Sequence, residues 1–195
     1  VGHSVGGHTL IETAVRLPDI FRHLLLLDPV VGSPEFYSNA PKKVPENFLK
    51  PILQRKRDFQ SIQEMIDRFR ERRPYSLFLE EILRDYCTHG LKKCDNRLML
   101  ACSPEIEASF YASNASNIEI LDYAKNVACP VTIVRAKSNE QTKGFSFEGS
   151  PTWPGLASVF ANSTDMQFKE LSHFIPMQAP DLCLQLIEDI ILKSL

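Results

Sequence analysis

The sequence has no long apolar run, no surplus of one charge sign and no paired cysteine spacing, and each absence removes a class of function. The leucine run Leu24–Leu27 is far too short to span a bilayer and has charges on both sides, so no transmembrane segment is expected. A formal net charge of −2, from 22 Lys and Arg against 24 Asp and Glu, gives no basis for a nucleic-acid partner or an anionic membrane surface. The five cysteines are odd in number and lack a C-x-x-C spacing, which predicts reduced thiols in an intracellular, cytoplasmic protein, without a disulfide framework or zinc site. No signal peptide is visible, and the chain begins with Val1. The C-terminal Lys193-Ser194-Leu195 has the residues of the peroxisomal Ser-Lys-Leu signal in the wrong order, so it gives that address no support. Internal repeats and low-complexity tracts are also missing.

What is present is enough for one domain-sized core: 195 residues, 44% of them hydrophobic. Leu10, Ile11, Ala14 and Val15 share a face and predict a helix from about Val5 to Arg16, with Gly6 and Gly7 allowing close packing at its start. His23–Leu27 then reads as a strand covered on both faces of a parallel sheet. From residue 31 to 126 the character changes to proline-rich loops and charged helical segments, predicted as an inserted helical cap. Asp58–Arg73 and Tyr75–Leu91 read as its amphipathic helices, the second stopping at Gly90, and Ser103-Pro104-Glu105 reads as a further helix start. The α/β rhythm returns with the β-branched strand Val131–Val134, a helix near Gly155–Ala161, a strand over Met166–Leu171 and a closing helix over Asp181–Leu192. Residues 1–30 and 127–195 are therefore predicted as an α/β core, and 31–126 as its insert.

Chemistry concentrates at both ends. Gly2-His3-Ser4-Val5-Gly6 fits G-x-S-x-G, a sharp strand-to-helix turn that presents a serine hydroxyl. In this reading Gly2 relieves crowding before the turn and Gly6 lets the helix approach the strand. A serine hydroxyl needs a base within hydrogen-bond reach. Of the five histidines, His3 and His8 are near Ser4 in sequence but point away from it. His23 opens a strand, and His89 belongs to the insert. His173 follows a strand and precedes the last helix, where open α/β sheets collect their active-site groups, so it is the best base candidate.

Together with Leu27-Asp28-Pro29-Val30, Pro130–Val134 and Ser172–Met177, these motifs make the chain similar to the α/β-hydrolase superfamily, closest to its capped, lipase- and esterase-like serine branch. The resemblance extends over essentially the whole chain and covers about the second half of that family's catalytic domain, with the strands before Ser4 absent. It implies a partial α/β-hydrolase fold: the last strands of a mostly parallel sheet with flanking helices, plus the cap. It implies that Ser4 forms an acyl-enzyme with an ester or thioester of a largely apolar small molecule. His173 is then the base and the Val5 backbone N–H an oxyanion donor, with no cofactor and no metal.

The acid departs from the usual pattern. The family most often carries it in the loop after the strand that starts at Pro130, where Ala136 fills the glycine slot and Asn139 the acid slot. Glu140 is adjacent. Asp28, at the end of the preceding strand, is the other carboxylate in range and is favoured for its place at a strand end. Two further readings stay open: a non-catalytic α/β-hydrolase-like interaction protein or inactive fragment, suggested by Asn139 and the truncated sheet, and a C–C bond hydrolase or cofactor-free haloperoxidase using the same triad. In the cap, Tyr75, Phe78, Phe110 and Tyr111 are expected to pack it together or line an acyl pocket. The basic cluster Arg55-Lys56-Arg57 with Arg70, Arg72 and Arg73 reads as a solvated face.

Overall fold

The computed structural model describes residues 1–39, 44, 46–113, 117–138 and 148–193. They form two compact units, Val1–Ser38 with Ile118–Leu195, and Asn39–Asn117. The chain begins with β1 (Gly2–His3), α1 (Val5–Arg16), β2 (Leu24–Leu27) and α2 (Pro34–Asn39). The second unit holds α3 (Glu46–Leu53), β3 (Asp58–Phe59), α4 (Ile62–Arg70), α5 (Glu80–His89), β4 (Leu91–Cys94), β5 (Arg97–Leu100) and α6 (Pro104–Ser113). The first unit resumes with α7 (Ile120–Lys125), β6 (Val131–Arg135), β7 (Ser163–Gln167), α8 (Ile175–Gln178) and α9 (Pro180–Lys193).

In the first unit four parallel strands pair in the order β1-β2-β6-β7. β2 and β6 are the inner strands, and all four leucines of β2 are buried. Side chains alternate between the faces of a strand. Leu24 and Leu26 therefore pack with Ile133, with Ile11 and Ala14 of α1, and with Ile120 and Ala124 of α7. Leu25 and Leu27 pack with Val134, Ile175 and the α9 residues Cys183 and Leu186. Burying each leucine stabilises the unit by about 1.5–3 kcal/mol. Helices on both faces explain the uninterrupted apolar run, since neither face of β2 meets water.

The unit boundaries differ from the expected 31 and 126. Residues 31–38 and 118–126 group with the sheet, because Val31, Tyr37, Ile120 and Ala124 belong to the same buried cluster as Leu24 and Leu26. Two later elements are also displaced. The helix expected near Gly155–Ala161 is a short 3-10 turn, Leu156–Val159, and the strand expected over 166–171 is β7, Ser163–Gln167. β7 lies at a sheet edge and is mostly exposed, so its polar Ser163, Thr164 and Asp165 carry no apolar signal.

The second unit is not purely helical. β3, β5 and β4 form an antiparallel sheet, with Asp95 turning the β4–β5 hairpin at φ 51°. The helix expected over Asp58–Arg73 starts only at Ile62, where the Ser61 hydroxyl accepts the Glu64 backbone N–H at 3.1 Å. The expected Tyr75–Leu91 helix is α5 preceded by a 3-10 turn, and it stops at Gly90. The basic cluster is largely ion-paired, Arg55 with Glu107, Lys56 with Glu64, Arg57 with Glu105 and Arg70 with Glu80. Pairs this exposed add little stability. Tyr75 stacks on Phe69 at 4.2 Å, Phe78 is buried against Tyr75 and Tyr86, and Tyr111 meets Phe48, whereas Phe110 is exposed. Phe69, Tyr75, Tyr86 and the Arg55–Glu107 pair line a cavity of about 760 Å³ within this unit.

Candidate active site

Ser4 sits between β1 and α1 with φ 58° and ψ −127°, a left-handed backbone that a non-glycine residue holds only under strain. Its N–H still donates to the Leu27 carbonyl at 3.0 Å, continuing the β1–β2 ladder, and its carbonyl accepts from Val30. The turn is tight enough that a Cβ on Gly2 would lie 2.7 Å from the Gly6 carbonyl oxygen. A Cβ on Gly7 would lie 2.9 Å from Pro29 Cβ, whereas one on Gly6 would meet nothing within 4 Å. Of the two glycines expected to allow close packing, Gly7 is therefore the crowded one, and Gly6, to which the motif assigns the approach of the helix, is not. Gly6→Ala is expected to raise stability by up to about 1 kcal/mol through helix propensity. Gly7→Ala is expected to lower it by about 1–3 kcal/mol through overpacking. Urea denaturation of the two variants separates these opposite signs.

Asp28 follows β2 directly and is fully buried at φ 48°, a conformation aspartate tolerates better than most residues. Its N–H donates to the Val134 carbonyl at 2.6 Å, which fixes it against the end of β6. One carboxylate oxygen, Oδ1, accepts from the Ala136 N–H at 3.1 Å and from the hydroxyls of Ser150 and Thr152. The Thr152 hydroxyl is also 2.7 Å from the Pro29 carbonyl, and the Ser150 oxygen accepts the Thr152 N–H. The other oxygen, Oδ2, faces His173 Nδ1 at 2.7 Å. A carboxylate only accepts, so this contact places the proton on Nδ1 of His173.

His173 is buried in the loop between β7 and α8, with Nε2 2.8 Å from the Ser4 hydroxyl. With Nδ1 protonated, Nε2 is left as the acceptor for that hydroxyl. Ser4, Asp28 and His173 each come from the carboxyl end of a parallel strand, β1, β2 and β7, where such sheets place their reactive groups. Val5 is the first residue of α1, so its N–H has no acceptor within the helix and lies at the positive end of the helix dipole. Glu140, the alternative acid, and Asn139 lie outside the described residues. Ser150 and Thr152 were not singled out in the sequence; the only local trace of them is a Ser-Pro-Thr step in a loop.

The other histidines of this unit serve its framework. His8 Nδ1 donates to the Val30 carbonyl at 2.9 Å, and His23 Nε2 contacts the Thr132 hydroxyl at 2.9 Å. His3 Nε2 donates to the His173 carbonyl at 2.8 Å. Burial holds the His3 imidazole below the ordinary histidine range, and the nearby His173 ring adds to this, against its hydrogen bond to the His173 carbonyl and the attraction of Asp28. The unfolded chain therefore takes up this proton first as pH falls. His3 costs no stability above the ordinary histidine range and destabilises the fold progressively as pH falls through that range toward its own lower value. His23 is shifted the same way by burial and by Lys193. Unfolding free energies measured between about pH 7.5 and pH 5.5 are expected to fall less in His3→Phe than in the unaltered protein.

Among the described residues no three His, Cys, Asp or Glu gather as a metal site requires, and no helix is long and apolar enough to cross a membrane.

No family model and no curated protein matches the sequence. Solved structures do match. The peroxisomal α/β-hydrolase Lpx1 of Saccharomyces cerevisiae is similar over 97% of this chain and 51% of its own, at 19% identity and a TM-score of 0.76. The thioesterase domain from the curacin biosynthetic pathway covers 96% of this chain and 65% of its own, at 16% identity and a TM-score of 0.66. An esterase from Mycobacterium tuberculosis covers 97% and 59%, at 17% identity and a TM-score of 0.61. The chain thus spans between half and two thirds of the length of these proteins. Across that span the chain has the α/β-hydrolase fold, from the strand that ends at Ser4 to the last helix.

Proposed function

We propose that the protein is a serine hydrolase that cleaves a carboxylic ester or thioester of a largely apolar small molecule through an acyl-enzyme on Ser4. One observation carries the reading: a continuous hydrogen-bonded relay from Ser4 Oγ through His173 to Asp28, with each member at the carboxyl end of its own parallel strand. The names of the fold neighbours, an esterase and a thioesterase domain among them, agree with it.

In this mechanism Ser4 Oγ attacks the acyl carbonyl carbon while its proton passes to His173 Nε2. Asp28 holds the Nδ1–H tautomer before the step and stabilises the imidazolium after it. The Val5 N–H faces the developing oxyanion. The tetrahedral intermediate collapses as the carbon–oxygen or carbon–sulfur bond breaks, and His173 returns its proton to the leaving alcohol or thiol. Water then attacks the acyl-serine, again giving its proton to His173, and release of the acid restores Ser4. No cofactor or metal enters these steps.

The test is to mix the full-length protein with p-nitrophenyl esters and acyl thioesters of increasing chain length, quench rapidly and map the acyl group by mass spectrometry. Turnover with transient acylation of the Ser4 peptide is expected. Folded protein that turns over none of these substrates, or turns them over with no acyl group on Ser4, overturns the proposal.

A further inference from the structure

The G-x-S-x-G pattern leaves its second position free, yet here that position holds a residue tied to the base. His3 precedes Ser4 on β1, and its Nε2–H donates to the main-chain carbonyl of His173 at 2.8 Å. Its ring is 4.9 Å from the His173 ring, tilted by 36°, and 6.2 Å from that of Phe174. The loop is also anchored at residues next to His173. The Ser172 N–H and hydroxyl both bond the Gln178 side chain, and the Lys137 N–H donates to the Leu171 carbonyl. The His3 bond is made to His173 itself.

This closes a ring. From Ser4 Oγ the circuit runs to His173 Nε2, along the His173 side chain to its own carbonyl, across to His3 Nε2, and back through one peptide bond to Ser4. Both ends of the base are thereby measured against two adjacent residues, His3 of β1 and Ser4 directly after it. The height of the imidazole over the nucleophile then depends little on the longer β7–α8 connection. Correct placement matters because an error of about 1 Å can cost about 10²-fold in rate.

We propose that His3 is a positioning residue, whose ring N–H sets His173 against Ser4 and Asp28 through the His173 carbonyl. The inference rests on the serine hydrolase reading for its consequence in catalysis, but the positioning itself has its own readout. His3→Phe keeps a ring and removes the donor. His3→Gln carries an amide N–H at similar reach. His3→Asn is polar but too short, and it repeats the test should the Phe variant fail to fold.

The experiment is proton and nitrogen NMR of the His173 ring in the full-length protein, alongside steady-state kinetics on a p-nitrophenyl ester. His3→Phe and His3→Asn are expected to shift or broaden the His173 Nδ1–H resonance and to lower kcat by about 10–10²-fold, with KM within about twofold. His3→Gln is expected to restore both. A Nδ1–H resonance unchanged in His3→Phe and His3→Asn overturns the proposal, whatever happens to kcat. A resonance that moves and is restored by His3→Gln upholds it, even if no form of the protein turns over ester; that outcome defeats the hydrolase reading alone.

Discussion

Asp28→Asn is expected to lower kcat by about 10⁴-fold while leaving the fold intact. The direction follows from how the carboxylate is held. Oδ1 receives the Ala136 N–H and the Ser150 and Thr152 hydroxyls, so an asparagine at this position must turn its own carbonyl oxygen toward those donors. Its NH₂ then faces His173 Nδ1, where Oδ2 had been. A donor there drives the proton of His173 onto Nε2, the nitrogen that must accept from Ser4. The base becomes a donor, and the reaction loses its first step. Shape and burial hardly change, so the melting temperature is expected to stay within a few degrees. Parallel kinetics and thermal unfolding check both halves. A variant retaining activity within about tenfold would show that the acid lies elsewhere, with Glu140 the residue to replace next.

Ser4→Ala, His173→Ala and the double variant form the second large prediction. Each single change is expected to reduce kcat by about 10⁶-fold, and the double change by little more. Ser4 and His173 act as one unit: without the base the hydroxyl is a poor nucleophile, and without the hydroxyl the base has nothing to activate. Losses that multiply in the double variant would mean that the two side chains act independently, and that the 2.8 Å contact between them is not used in the reaction. Ser4→Ala also replaces a residue at φ 58° with one no better suited to that backbone, so it is not expected to relieve the turn.

The site was more legible in the sequence than its surroundings. Five residues suffice to mark the turn at Ser4, because a strained strand-to-helix turn demands small neighbours at fixed spacing. Asp28 and His173 could be singled out because strand ends announce themselves, one after four buried leucines and one before the last helix. Which glycine is crowded was not legible. The sequence offers Gly6 and Gly7 together, and only the course of Pro29 past the helix gives that role to Gly7. Ser150 and Thr152 were invisible for a related reason: they reach Asp28 across more than a hundred residues of chain, from a loop whose path no local periodicity records. In the second unit the β4–β5 hairpin leaves no sequence signal because Lys92, Lys93 and Arg97 are exposed and break any apolar alternation. β7 begins three residues before the expected Met166 for a similar reason, its edge position freeing its first residues from an apolar face.

The most direct measurement is labelling of the full-length protein with a fluorophosphonate, which forms a stable adduct only with a serine activated by a positioned base. A single adduct on the Ser4 peptide is predicted, lost in Ser4→Ala and strongly slowed in His173→Ala. Folded protein that stays unlabelled, or that labels at another residue, would contradict the assignment of Ser4 as the nucleophile.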